Sequence, residues 1–158
     1  MNKIALIIII MSFFPFKYSM AMSPGEEFIS RVKLYYQYNI VFKPCAKSQG
    51  INYRQYEGFL KESKKAVKYY QMKLNIKKDE LQKHKIQANK KANEDMAMVK
   101  NLMPIMGLGQ PKDQLSKEQL KKIRKYCGEQ WQNSLVVRTL IKLEMNDEDN
   151  DISDDLDF

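Results

Sequence analysis

One histidine, one tryptophan and two cysteines are all that the 158 residues hold of these types, and each shortage closes off some chemistry. With His84 as the sole imidazole, no Ser–His or Cys–His arrangement can form without it. Gln82, Lys83 and Lys85 around it read as a solvated cationic helix face, where an imidazole is hard to orient as a base. Cys45 and Cys127 lack metal-ligand spacing, so in an oxidising compartment the pair reads as a disulfide. That bond would close a loop for which the chain-entropy model gives about 4 kcal/mol.

Strand patterning is also missing. Nothing alternates for longer than Leu135 to Arg138, and there is no internal repeat. Proline and glycine are sparse, at five and six residues, and two of each fall in the stretch Pro104 to Pro111, which therefore reads as the main loop. The apolar run from Ile4 to Phe14 falls short of the roughly 20 residues a membrane span needs. Lys3 precedes it, Pro15 ends it, and Ser19-Met20-Ala21 supplies small residues for cleavage after Ala21, so residues 1–21 are expected to be a signal peptide. No cysteine stands at that junction to carry a lipid. These features predict an exported protein of the bacterial periplasm or beyond, with one helical domain over 22–145.

What is present is charge, unevenly placed. From Met22 to Leu143 there are 25 Lys plus Arg against 11 Asp plus Glu, whereas Glu144 to Phe158 carries eight acids and no base. A basic body thus ends in an acidic segment, and residues 146–158 are too acidic and too poor in apolar groups to predict order.

The helical reading is all-α, a three- or four-helix domain with a long central helix and one disulfide. Ser23-Pro24-Gly25-Glu26 has the form of a capped helix start, and the first helix is expected to stop before Pro44. Asn52 caps the next, in which Tyr53, Leu60, Val67, Leu74, Leu81 and Ala88 recur every seventh residue. Their companion positions decay into Lys77, His84 and Lys91, which suits an amphipathic bundle helix better than an extended coiled coil. Unbroken to Met103 it would reach about 75 Å, so a bend or break is expected near Asn75–Asp79 or Asn89–Asn93. The last helix is expected near Asp113 or Ser116, with an apolar face of Leu120, Ile123, Cys127, Trp131, Leu135 and Leu143.

The binding candidates are lysines. Lys61, Lys64, Lys65 and Lys68, with Lys121, Lys122 and Lys125, lie mostly off the apolar stripes and form either plain solvated faces or an anion-binding surface. Nucleic acid is the least favoured anion, because arginine is scarce beside lysine and no binding motif is present. A two-carboxylate hydrolase would draw on Glu57, Glu62, Glu80, Glu94 or Glu129, which sequence cannot place across a cleft. Asp147 to Asp155 begins like a calcium loop, but Ile152 stands where glycine is needed and Phe158 where the bidentate Glu belongs. Met96, Met98, Met103 and Met106 are soft donors suited to reduced copper, or simply core filler. With no cofactor motif, the expectation is a non-enzymatic binding protein acting on another protein, as an accessory or inhibitor. Binding of anionic lipid or wall polymer is the alternative, and no transmembrane segment is expected after processing.

Overall fold

Local capping chemistry sets where the first helix begins. Ser23 Oγ accepts the Glu26 amide, the Glu26 carboxylate accepts the Ser23 amide at 3.0 Å, and Pro24 takes the first helical position of α1, Pro24–Lys47. The structure, a computed structural model, describes residues 22–151, with side chains described to residue 146. The expected signal peptide and residues 152–158 lie outside the described residues.

α1 does not stop before Pro44 but passes through it to Lys47. Proline in the last turn forfeits one backbone hydrogen bond, and the end is closed otherwise. The amides of Ser48, Gly50 and Ile51 return to the carbonyls of Pro44 and Cys45, with Gln49 in the left-handed region at φ 55°. Carrying the helix on also places Cys45, fully buried, opposite its partner.

The long central helix is replaced by three shorter ones, α2 (Tyr53–Lys73), α3 (Lys78–Asp95) and α4 (Ala97–Leu102). Asn52 caps α2, with Gln55 reaching back to the Asn52 amide at 2.9 Å. The first break is at Asn75, whose φ of 51° an asparagine tolerates better than most residues, and the Ile76 amide bonds the Gln71 carbonyl at 2.9 Å to seal it. A break there divides the seven-residue line between two helices: Leu60, Val67 and Leu74 pack half-buried against the core from α2 and the turn after it, and Leu81 and the buried Ala88 do so from α3. Within α2 the fully buried positions are Phe59, Ala66 and Tyr70, beside the expected line, whose Leu60 and Val67 are half-buried against the core while Tyr53 is 64 % exposed.

α5, Lys117–Asp151, follows a 3-10 turn at Lys112–Gln114, making five α-helices among the described residues. Its start has the expected Ser116–Gln119 box, with both backbone-to-side-chain bonds formed. The helix nearest a central place is α1, which packs against α2, α3 and α5. α3 runs beside it in the same direction, with His84 over Gly25 at one end and Asp95 held by Lys33 and Gln37 at the other. The fully buried Ala88 and Ala92 let the two backbones approach. α2 and α5 run opposite to α1 and parallel to each other, Glu62 meeting Arg138 and Lys73 meeting Glu144.

The core between α1, α2 and α5 is aromatic. Phe42 stands edge-on to Phe59 and packs on Trp131, both with centroids 5.0 Å apart. On α5 the expected face holds through Ile123, Cys127 and Trp131, then turns to Ser134, Arg138 and Ile141, which leaves Leu135 and Leu143 exposed. The disulfide Cys45–Cys127 is formed, with Cα atoms 5.8 Å apart, and ties the end of α1 to α5. The loop after α4 turns on Gly107 and Gly109, both at positive φ, and is latched beside the disulfide by the buried Ser48. Ser48 Oγ accepts the Gly109 amide at 2.8 Å and donates to the Gln110 carbonyl at 3.0 Å.

Candidate functional site

A concave surface forms where the disulfide gathers three chain segments. The end of α1 contributes Ala46 and Lys47, the turn into α2 contributes Gly50 to Tyr53, and α5 contributes Arg124, Gly128, Trp131 and Gln132. The groove holds about 790 Å³ and none of its lining residues is acidic. Gly128 lines it without a side chain, and a Cβ there would enter open space, with nothing within 4 Å. Trp131 and the exposed Tyr53 offer aromatic surface, and Lys47 and Arg124 offer positive charge. Such a set can seat an apolar or aromatic group whose flanks carry carboxylate or phosphate.

The Trp131 wall is held from behind. Arg138, 5 % exposed, lays its guanidinium over the Trp131 ring at 4.5 Å and over Phe59 at 5.5 Å, and donates twice to Glu62 at 2.8 Å. Lys142 adds a third cationic contact to Glu62 at 3.0 Å. Burial raises the Glu62 pKa, but the hydrogen bonds and charges of Arg138 and Lys142 outweigh it and hold the carboxyl below the usual range. Glu62 is therefore ionised near neutrality and unsuited to act as a general acid. Arg138 was not legible as special in the sequence. Its only signal is a cation four residues after Ser134 and seven after Trp131, on a helix face with no other charge.

The lysines divide into two groups. Lys61, Lys64, Lys65 and Lys68 are exposed on the outer face of α2, level with Arg138 and beyond. Lys121, Lys122 and Lys125 are exposed near the start of α5, about 20–26 Å along the axis from Arg138 at 1.5 Å per residue. Lys122 pairs with Glu118 at 2.7 Å. The fold does not bring the two groups onto one patch.

His84 is half-buried rather than solvated: its ring lies against Gly25 and Phe28, and Nδ1 is buried without a partner among the described residues. Among the other carboxylates, Glu94 pairs with Lys90, and Glu57, Glu80 and Glu129 stand exposed on separate stretches of helix. Met103 is buried and Met96 and Met106 pack on the core, while Met98 points outward, 76 % exposed. No group of three His, Cys, Asp or Glu suited to a metal ion occurs among the described residues, and no described helix is long and apolar enough to cross a membrane. No protein-family description matches this chain, and no curated protein or solved structure shows significant similarity to it.

Proposed function

We propose that this protein is an exported helical binding protein that acts on another protein in the periplasm, as an accessory or inhibitor, and that the groove at the disulfide end receives its partner. The observation that carries the reading is the lining: aromatic Trp131 and Tyr53 beside cationic Lys47 and Arg124, with no acid among the lining residues. A partner segment presenting an apolar anchor between acidic residues suits it. Aromatic and Arg anchors in concave, supported settings are where protein interfaces concentrate their energy. The Arg138–Glu62 pair behind Trp131 supports the reading by holding that wall still before the partner arrives.

Export is tested by cell fractionation and an intact mass beginning at Met22. The groove is tested by placing a photo-crosslinking side chain at Tyr53 and, as control, at Lys65, in cells. One protein captured from Tyr53 and not from Lys65, with capture reduced by Lys47→Glu plus Arg124→Glu, is the expected outcome. Equal capture from both positions counts against the groove.

The exposed lysines of α2 favour a second reading, a binder of anionic lipid or wall polymer. Salt separates the two, because purely electrostatic adhesion falls steeply with ionic strength while an aromatic-anchored complex changes little.

A further inference from the structure

The groove at the disulfide end has a direction. On α5 its lining residues Arg124, Gly128 and Trp131 are four and three positions apart, so they share one helix face and span about 10 Å at 1.5 Å per residue. Between the cation and the ring, Gly128 puts no side chain into the groove, and a Cβ there would enter open space. The facing wall is fixed against α5, because the turn at Gly50 rests on the disulfide. A Cβ on Gly50 would come within 2.5 Å of Cys127 Sγ.

The polar lining is rich in donors. Lys47 and Arg124 can only donate, and so can the indole of Trp131. Asn52 and Gln55 have their carbonyl oxygens engaged at the start of α2, on the amides of Arg54 and Asn52, which leaves their NH2 groups to a ligand. Gln49, Gln132 and the Tyr53 hydroxyl can serve either way. The acids adjoining these segments in the chain, Glu57 and Glu129, do not line the groove. A ligand that satisfies such a rim brings acceptors, and beside two cations a carboxylate suits best.

We infer that the partner is an extended segment laid along α5 with its main chain over Gly128, an Asp or Glu on Arg124 and Lys47, and a large apolar side chain against Trp131. This rests on the groove being the partner site, and it specifies what the partner presents there. An extended chain advances about 3.3 Å per residue. The 10 Å between Arg124 and Trp131, shortened by the reach of the arginine, therefore sets the acid and the apolar residue two or three positions apart. Gly128 acts as the gate, since a side chain there fills the path of the partner's main chain.

An array of synthetic ten-residue peptides tests this, each with one Asp and one Leu or Phe at separations of one to five on a Gly-Ser background, probed with the purified full chain with its disulfide formed. Expected is binding that is greatest at separations of two and three and is lost when Asp becomes Asn. Gly128→Leu should weaken it about a hundredfold and Arg124→Glu about tenfold, both with unchanged helicity by circular dichroism. Lys78→Glu, on α3, makes the same charge change and should leave binding as it was. No peptide bound, binding indifferent to the acid, or binding that Gly128→Leu leaves intact overturns the inference. So does retention of heparin, or of vesicles of anionic phospholipid, that Gly128→Leu abolishes while no peptide binds. Cellular crosslinking separates this from the broader reading. Capture from Tyr53 that survives Gly128→Leu but not Lys47→Glu plus Arg124→Glu keeps the groove as the partner site and removes this pose. Absent capture with the peptide pattern intact removes the periplasmic partner and keeps the specificity.

Discussion

Glu62 and Arg138, separated by 76 positions in the chain, meet through two parallel hydrogen bonds of 2.8 Å and so join α2 to α5 at the back of the Trp131 wall. The pair is nearly sealed from solvent, with side chains 11 % and 7 % exposed. Burying both charges is tolerable only while each satisfies the other.

Arg138→Ala is therefore expected to destabilise the fold by about 3 kcal/mol, because Glu62 keeps only the more exposed Lys142. Arg138→Lys keeps the charge but loses the two-pronged bond and the stacking on Trp131, and should still cost at least about 1 kcal/mol. Denaturant unfolding measures both, and a lysine variant as stable as the parent would remove the guanidinium's special place.

Stability should also fall on the acid side. Glu62 and Glu144 are both held below the ordinary carboxylate value: in each case burial raises the pKa, and hydrogen bonds outweigh it, from Arg138 and Lys142 for Glu62 and from Lys73 and Tyr70 for Glu144. A carboxylate whose folded pKa is depressed contributes fully above its unfolded pKa of about 4.3 and loses that contribution as pH falls through the folded value. Melting temperatures measured from neutrality downward should drop below about pH 4.3. Glu62→Gln should flatten that slope, and an unchanged slope would mean the pair does not couple to folding.

The disulfide closes a span of 82 residues between α1 and α5. Reduction, or Cys45→Ala with Cys127→Ala, is expected to lower stability by about 3–4 kcal/mol on the chain-entropy account. Unfolding curves with and without reductant test this, and coincident curves would show that packing alone holds the two helices.

Two glycines make a paired test of close packing. A Cβ at Gly50 would lie 2.5 Å from Cys127 Sγ, whereas at Gly58, on the open side of α2, it would meet nothing within 4 Å. Gly50→Ala should destabilise by about 1–3 kcal/mol. Gly58→Ala should stabilise by about 0.5–1 kcal/mol, as expected for a helix interior. Thermal melts read both signs directly, and a harmless Gly50→Ala would show that the turn moves freely over the disulfide.

Much of this architecture is readable in the amino-acid order, and the readable parts share a cause. The Ser23–Glu26 and Ser116–Gln119 boxes, the Asn52 cap, and the loop from Pro104 depend on residues within a few positions of one another, so their hydrogen bonds are written in the local order of the chain. The two cysteines left one pairing to consider.

Contacts between distant segments settled the remainder. Pro44 stays helical because the turn after it restores the hydrogen bonds and because Cys45 must reach Cys127. The line through Leu60, Val67 and Leu74 packs half-buried at the edge of the core while Phe59, Ala66 and Tyr70 beside it are fully buried and Tyr53 is exposed, since α2 packs against two helices and a seven-residue count cannot say where its neighbours stand. Arg138 is indistinguishable along the chain from the surface cations, and becomes interior only because Glu62 and Trp131 are folded against it. Short-range hydrogen bonding can be read from neighbours in sequence; burial can be read only in part, as at Ile123 and Cys127, because it is a property of what the rest of the chain brings near.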